Sequence, residues 1–408
     1  MSIASRLAWR NLWRHGRRTW LTVGAMVFCN GLLVFLVAFQ FGTYGLMIES
    51  SLAMLTAHVQ VQHEKYLDEP RMRYTVPDGI KLAAQLRENL PDAAVAARAG
   101  AFALASSEER SFGIEVLGVE PEFEAAVSSL PGLVSEGRYL GAMNAEEIVI
   151  GTVLASNLKV AIGDEITLLG SGRDGSFAAG IATVVGLIDT GLVDLDRAIA
   201  ALPLGYFQSI FSMEGAVHKI VIHVPTLPDV APAEAQLRAE LGQTSLAVRD
   251  WNELQPGLRQ AILADSFSAV VMYGVLVILV AFSVLNTQLM SVLERTREFG
   301  VMMALGLRPS GLSRLVLLET ASMALLGTIL GCLLGGAVTA YFMFYGLSLP
   351  GMEEAMSQYN LPSTLHPELN LYSLLLGPAV VLIGSLLAAI YPALRIYVLQ
   401  PVSAMRAV

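Results

Sequence analysis

A chain that hydrolyses ATP needs a lysine behind a glycine-rich turn, in the pattern GxxxxGK[ST], so that its ammonium reaches the nucleotide phosphates. Four lysines are present, Lys65, Lys81, Lys159 and Lys219, preceded by Glu64, Ile80, Leu158 and His218. No Gly-Lys pair exists, so ATP hydrolysis is expected from a separate polypeptide. Residues 170–175, Gly-Ser-Gly-Arg-Asp-Gly, spell the dinucleotide fingerprint GxGxxG. That fingerprint must join a strand to a helix, whereas residues 176–188 read as strand, so a hairpin or loop is expected. His58, His63, His218 and His223 invite a metal reading, but an offset of five puts His218 and His223 on opposite faces of one strand. Solvated or locally hydrogen-bonded histidines are the expectation. Cys29 and Cys332 fall in different apolar blocks, so neither a disulfide nor a thiolate metal site is expected. Neither GxSxG nor HExxH occurs. No catalytic residue is assigned.

The residues that could do work without catalysis lie between two apolar blocks. Residues 294–306 begin charged and become apolar. As a helix they place Phe299, Met302 and Met303 at i, i+3, i+4, and Gly306 suits its C-terminal stop. An apolar ridge with adaptable Met side chains suits a groove on a partner, with Arg295, Arg297 and Glu298 setting the register. A helix lying in the lipid headgroups fits the same pattern. Glu319, about one turn into the next apolar block, is the only acid deep enough to suggest an ion relay. Arg314 nearby points instead to an interfacial or ion-paired structural role.

These segments are positioned by a membrane architecture. The 408 residues are 54% hydrophobic and 15% charged, against about 25% charged in soluble domains. No charge occurs at 19–48, 266–293, 320–352 or 369–394. Roughly 20 helical residues cross a bilayer core of about 30 Å. Spans are therefore expected at Trp20–Phe41, Val270–Met290, Leu315–Phe344 and Tyr372–Leu394, the first too long for a signal peptide and read as retained. Arg6, Arg10, Arg14, Arg17, Arg18, Arg295, Arg297, Arg308, Arg314, Arg395 and Arg406 flank one side of the spans, which marks it as cytoplasmic. Residues 345–370 carry Glu353, Glu354 and Glu368 but no Lys or Arg, so this loop faces outward. The net charge of −9 argues against a nucleic-acid partner.

The expected fold is thus an integral membrane protein of four transmembrane helices, with a large α+β extracytoplasmic domain inserted between helices 1 and 2. The divisions are 1–19 (amphipathic cytoplasmic segment, with Ile3, Leu7, Trp9, Leu12 and Trp13), 20–41, the domain 42–268, 269–293, the connector 294–311, 312–344, the loop 345–371, 372–394 and a tail at 395–408. Within the domain, strands are expected at 58–63, 94–105, 112–119, 147–151, 164–169, 181–188 and 218–224, and helices at 77–90 and 231–241.

Several motifs resemble the FtsX-like permease family. They are Ala8-Trp9-Arg10-Asn11-Leu12 with Arg17-Arg18-Thr19, the connector from Glu294 through Gly300 with Ala304-Leu305-Gly306, and Tyr391-Pro392-Ala393-Leu394 with Gln400-Pro401. Ile148-Val149-Ile150-Gly151, Leu154-Ala155, Leu158 and Gly163-Asp164-Glu165-Ile166 resemble the periplasmic core of macrolide-efflux and lipoprotein-releasing permeases. The resemblance implies the permease half of an ABC transporter in a bacterial inner membrane, paired with a second copy or a sister permease. A separate ATPase subunit would hold ATP and Mg²⁺ and meet residues 294–306 as a coupling helix, and this chain would bind no cofactor itself. The domain would be porter-like, with an inserted second lobe near 123–211. The implied work is extraction of lipoproteins or similar amphipathic substrates, with a periplasmic lipoprotein carrier or an adaptor as a further partner. An apolar cleft between paired first and second spans would shelter acyl chains among membrane lipids. Met26, Phe28, Phe35, Phe39, Met272 and Tyr273 could line it, although such residues are also ordinary lipid-facing or packing material. Drug or peptide efflux, and a scaffold activating a cell-wall hydrolase, are the alternative functions.

Overall fold

The computed structural model describes residues 10, 16–242, 245–348, 351 and 364–398. The motif at residues 8–12, the surface-seeking Ile3, Leu7, Trp9, Leu12 and Trp13, and Gln400-Pro401 fall outside it, apart from Arg10. Four described helices are long and apolar enough to cross a membrane: α1 (Gly16–Leu55), α5 (Pro256–Glu294), α7 (Pro309–Tyr345) and α8 (Leu371–Arg395). Between α1 and α5 lie the helices α2 (Gly79–Asn89), α3 (Pro121–Val127) and α4 (Val230–Leu241). The short helix α6 (Thr296–Ala304) links α5 to α7.

The chain divides into two units. The helical unit takes the described residues up to Tyr44, Ala261–Ser348 and those from Thr364 onward. Glycines let its helices approach closely. A Cβ on Gly335 would lie 2.7 Å from the Cα of Gly31, and one on Gly331 would lie 2.4 Å from the Cβ of Asn30. Small residues let two backbones approach where lipid offers no hydrophobic driving force between helices. α8 joins through Gly377, whose Cβ would sit 2.9 Å from that of Leu33. It starts with a capping box, in which Asn370 Oδ1 accepts from the Ser373 N–H at 2.7 Å and Ser373 Oγ accepts from the Asn370 N–H at 3.0 Å.

α1 and α5 are each about twice as long as the spans read from the sequence. At 1.5 Å per residue, 40 residues extend about 60 Å against a hydrocarbon core of about 30 Å. The expected end of helix 1 at Phe41 is therefore corrected. The charge-free window measures the hydrocarbon-compatible part of a helix, and residues 42–55 contain no proline to end it. α1 ends where Ala57 turns left-handed (φ 55°). α5 begins earlier than expected, with Pro256 at its first position, where a missing N–H costs nothing.

The second unit takes Gly45–Gln260 and the described Gly351. It is built on ten described strands: β1 (Val59–His63), β2 (Ala94–Ser106), β3 (Ser111–Val119), β4 (Val134–Gly137), β5 (Glu147–Gly151), β6 (Glu165–Ser171), β7 (Phe177–Ile188), β8 (Ile199–Pro203), β9 (Lys219–His223) and β10 (Leu246–Asp250). They form one sheet in the order β10-β1-β9-β2-β3-β8-β5-β7-β4, with β6 bridging β2 and β7. The alternating and apolar runs of the sequence become these strands. Residues 170–175 form the β6–β7 turn, where Ser171 pairs with Phe177 and Gly175 has φ 82°. The segment 123–211 is not a separately cored lobe. Its strands continue the same sheet through the parallel β3–β8 pair, and one apolar cluster runs from Val59 and Ile220 to Ile148, Ile166 and Val184.

Candidate coupling connector and interhelical groove

The connector forms α6 and ends at Gly306, whose φ of 95° closes the helix while its N–H donates to Met303 O at 3.0 Å. The helix and its stop agree with the sequence pattern, but the face it presents does not. Phe299 is fully buried in a cluster with Val292, Leu312, Val316 and Ile396, and Met302 and Met303 pack partly buried against it. The ridge expected to dock on a partner is thus the helix's anchor on its own chain. Burying Phe299 contributes about 1.5–3 kcal/mol, which explains why the apolar stripe turns inward. The exposed face carries Arg297, Glu298, Val301 and Ala304, and continues into Leu305 (78% exposed) and Leu307 (48%).

Arg295 is mostly buried as well. Its guanidinium donates from one nitrogen to both carboxylate oxygens of Glu319 at 3.1 Å and from Nε to Glu298 at 3.2 Å, and it lies 5.1 Å from the Phe299 ring centre. Where the sequence points to Arg314 as the partner of Glu319, the structure brings Arg295 from the end of α5. Glu319 therefore ties the connector to α7 instead of standing as a lone acid in a relay.

Between α1 and α5 runs an apolar groove of about 250 Å³, lined by Ala25, Phe28, Cys29, Leu32, Leu276, Leu279, Val280 and Ser283. Of the six residues expected to line a cleft, Phe28 does so. Met26 is buried against Gly327, Phe35 stacks on Phe39 and meets Phe342 edge-on at 5.6 Å, and Met272 is exposed. Tyr273 packs partly buried beside Met26 and Leu33, and its hydroxyl donates to Gln40 Oε1 at 2.9 Å. Met26 and Phe35 instead meet α7.

In the inserted domain the histidines are structural. His58 and His223 stack at 4.4 Å across neighbouring strands, and His58 Nδ1 accepts from the Val224 N–H at 3.2 Å. Burial first, and His223 second, push the His58 pKa down to about 4. His218 stacks on Tyr66, accepts from the Gly100 N–H at 3.0 Å, and is pushed down to about 4, mainly by burial. His63 stacks on Tyr74. Among the described residues no cluster of three or more His, Cys, Asp or Glu could hold a metal ion.

The end of α1 is gripped by groups that sequence reasoning missed. Arg98, fully buried on β2, pairs with the buried Glu124 of α3 and donates to the carbonyl of Leu55, the last residue of α1. The Ser129 N–H donates to Ala53 O at 2.8 Å, and Gln255 links Ser51 Oγ (2.8 Å) to Thr56 Oγ1 (2.9 Å). Carbonyls otherwise left open at a helix end are thereby satisfied. An Arg at the centre of an apolar strand is the only trace of this joint in the sequence.

The model of the MacB-like periplasmic core domain matches residues 19–240, and that of the FtsX-like permease C-terminal region matches residues 270–401. The chain is an FtsX-like permease. The permease is 24% identical over 309 residues to the lipoprotein-releasing system transmembrane protein LolC of Neisseria meningitidis, covering 72% of this chain and 73% of that one. It is 23% identical over 365 residues to the lipoprotein-releasing system transmembrane protein LolE of Haemophilus influenzae, covering 84% of each. The macrolide export ATP-binding/permease protein MacB of Campylobacter jejuni is 29% identical over 151 residues, 36% of this chain and 21% of that one. Among solved structures, the periplasmic region of MacB from Actinobacillus actinomycetemcomitans aligns with TM-score 0.38 at 13% identity, covering 52% of this chain and 94% of that one. The permease is thus of the ABC-transporter type, with a periplasmic-type α+β domain inserted after its first span.

Proposed function

We propose that this permease couples ATP hydrolysis by a separate ATPase subunit to movement of its periplasmic domain, and so extracts lipoproteins or similar amphipathic substrates from the inner membrane. The observation that carries the coupling is the exposed apolar surface of Val301, Leu305 and Leu307, flanked by Arg297, Glu298 and Arg308, on a helix anchored from behind by Phe299 and the Arg295–Glu319 pair. A rigid helix with a small apolar face suits a groove on a nucleotide-binding partner, which would bring ATP and Mg²⁺ to a chain without a Gly-Lys pair. The positive-inside distribution of arginines supports a cytoplasmic connector and cytoplasmic termini.

Similarity over most of the chain to two lipoprotein-releasing proteins favours lipidated cargo. The groove between α1 and α5 is a fitting receptor for an acyl chain, since each CH₂ kept from water is worth about 0.8 kcal/mol and a replacement apolar surface is needed once it leaves the bilayer. A second permease, identical or a sister, would complete the transporter, and a periplasmic carrier would receive the cargo. The shorter similarity to a macrolide export protein favours efflux through an adaptor as the second reading.

The test is copurification with the cognate ATPase. Val301→Asp with Leu305→Asp should abolish association while leaving the thermal melting of the permease unchanged. Normal association and normal stimulated hydrolysis by that variant would refute the connector's role.

A further inference from the structure

An antiparallel strand with one side in the core normally turns polar residues to the other side. In the inserted domain, β2, β6 and β7 are apolar on both. Their inward positions, Ala103, Ala105, Ile166, Leu168, Ala178 and Ala182, belong to the main core. The alternate positions point outward, yet Phe102 is 75% exposed, Phe177 is 77% exposed, and Leu104 and Ile181 are exposed as well. The register joins them into one surface, because Leu104 stands opposite Leu169, Leu169 opposite Ala179, and Thr167 opposite Ile181. Together these side chains expose about 400–500 Å², at the upper end of what a monomer leaves uncovered. Two nearly free aromatic rings at its edge are of the residue type that the buried centres of interfaces favour.

The charges around this surface decide what fits it. Glu115 is the cross-strand neighbour of Phe102, and Glu165 lies on the outer face of β6, two residues before Thr167. Beyond Thr167 and Ile181 opens a polar hollow of about 660 Å³ that adds Glu108 and Asp164, and the lysine lining it, Lys159, is already paired with Glu109 at 2.5 Å. Arg110 turns away to the Asn157 carbonyl at 3.2 Å, and Arg173 sits beside Asp174 in the β6–β7 turn. Among the described residues, Glu108, Glu115, Asp164 and Glu165 form no ion pair. A second copy of this face would set acid against acid, and an anionic lipid surface would be repelled in the same way.

We propose that the outer face of β2, β6 and β7 is the docking site for a separate protein on the same side of the membrane, one that presents an apolar surface edged by Lys or Arg. Phe102 and Phe177 enter its apolar part, and the surrounding acids set its register and speed its encounter. The inference goes beyond the transport reading and holds whatever the cargo is.

Two short fluorescent peptides, one alternating Leu with Lys and one alternating Leu with Glu, probe the chemistry of the face. They are titrated onto full-length permease in zwitterionic lipid nanodiscs, with empty discs as the blank. The Leu/Lys peptide should bind, and the Leu/Glu peptide should bind about tenfold more weakly or not at all. Phe102→Ser with Phe177→Ser should weaken Leu/Lys binding about tenfold. Glu115→Gln with Glu165→Gln should weaken it about threefold to tenfold and flatten its salt dependence. All four side chains are exposed, so the melting temperature should stay at the parent value. Equal binding of the two peptides, or no loss in the Phe pair, would overturn the proposal. A cross-link then identifies the natural occupant. Permease carrying Cys29→Ser, Cys332→Ser and Phe102→Cys, coupled to benzophenone-maleimide in native membranes and irradiated, should attach to an apolar segment flanked by Lys or Arg in another protein. No attachment, or attachment only to lipid, to a second copy of this chain or to a segment without basic flanks, would overturn it.

Discussion

The joint at the end of α1 gives a sharp energetic test. Arg98 and Glu124 are both buried, and Arg98 also serves the Leu55 carbonyl, while Ser128 Oγ donates to Glu124 at 2.7 Å. Glu124→Leu leaves a buried guanidinium without its counter-ion, and Arg98→Met leaves a buried carboxylate in the same state. Each should cost about 3–5 kcal/mol, whereas replacing both with apolar groups of similar volume removes the uncompensated charge. What remains in the double variant is the open Leu55 carbonyl, worth about 1–3 kcal/mol. Independent effects would sum to about 6–10 kcal/mol, so the double variant should be more stable than either single one. Pulse proteolysis of the full-length protein in detergent, reading cleavage within residues 59–250 across a urea series, measures all three. Additive costs would refute the reasoning, because they would mean that the two charges do not depend on each other.

Two further perturbations test the packing and the histidines. His58 and His218 carry folded pKa values of about 4 against 6.5 unfolded, so the stability linked to them is fully present above about pH 6.5 and falls as pH drops toward 4. Each histidine's share is lost at up to about 1.4 kcal/mol per pH unit, and His58→Asn, which keeps an acceptor for the Val224 N–H, should flatten the decline of melting temperature between pH 7 and 5. Gly335→Leu drives a Cβ to 2.7 Å from the Gly31 backbone and should cost about 1–3 kcal/mol by thermal melting. The neighbouring Gly336→Leu meets only the tip of Leu374 at 3.3 Å and should be milder.

Much of the architecture was legible because its causes are local. Uncharged runs marked the four membrane helices, and period-two runs such as residues 58–63 marked strands. The helical continuation to Leu55 was not legible, since uncharged length reports membrane thickness and not helix length. The connector shows the same boundary. Its 3.6-residue period gave the helix and Gly306 gave the stop, but Phe299 faces inward because Val292, Leu312, Val316 and Ile396 converge on it from three other elements. An apolar stripe cannot say whether it meets its own chain or a partner. Likewise the partners Arg98 and Leu55, or Arg295 and Glu319, come together through tertiary folding, and no spacing rule links them. The lobe near 123–211 was implied by the family resemblance and not by any residue pattern, and the β3–β8 register makes that segment part of one sheet.

The central claim is that this permease turns ATP hydrolysis on one side of the membrane into release of lipid-anchored cargo on the other. Its most direct measurement is reconstitution of the permease, any sister permease and the cognate ATPase into vesicles carrying a lipid-anchored protein, with a soluble carrier outside, followed by assay of cargo transferred to that carrier. The account predicts transfer that requires ATP and Mg²⁺ and is lost in the Val301→Asp, Leu305→Asp variant. Robust, permease-stimulated ATP hydrolysis with no cargo leaving the bilayer would contradict it.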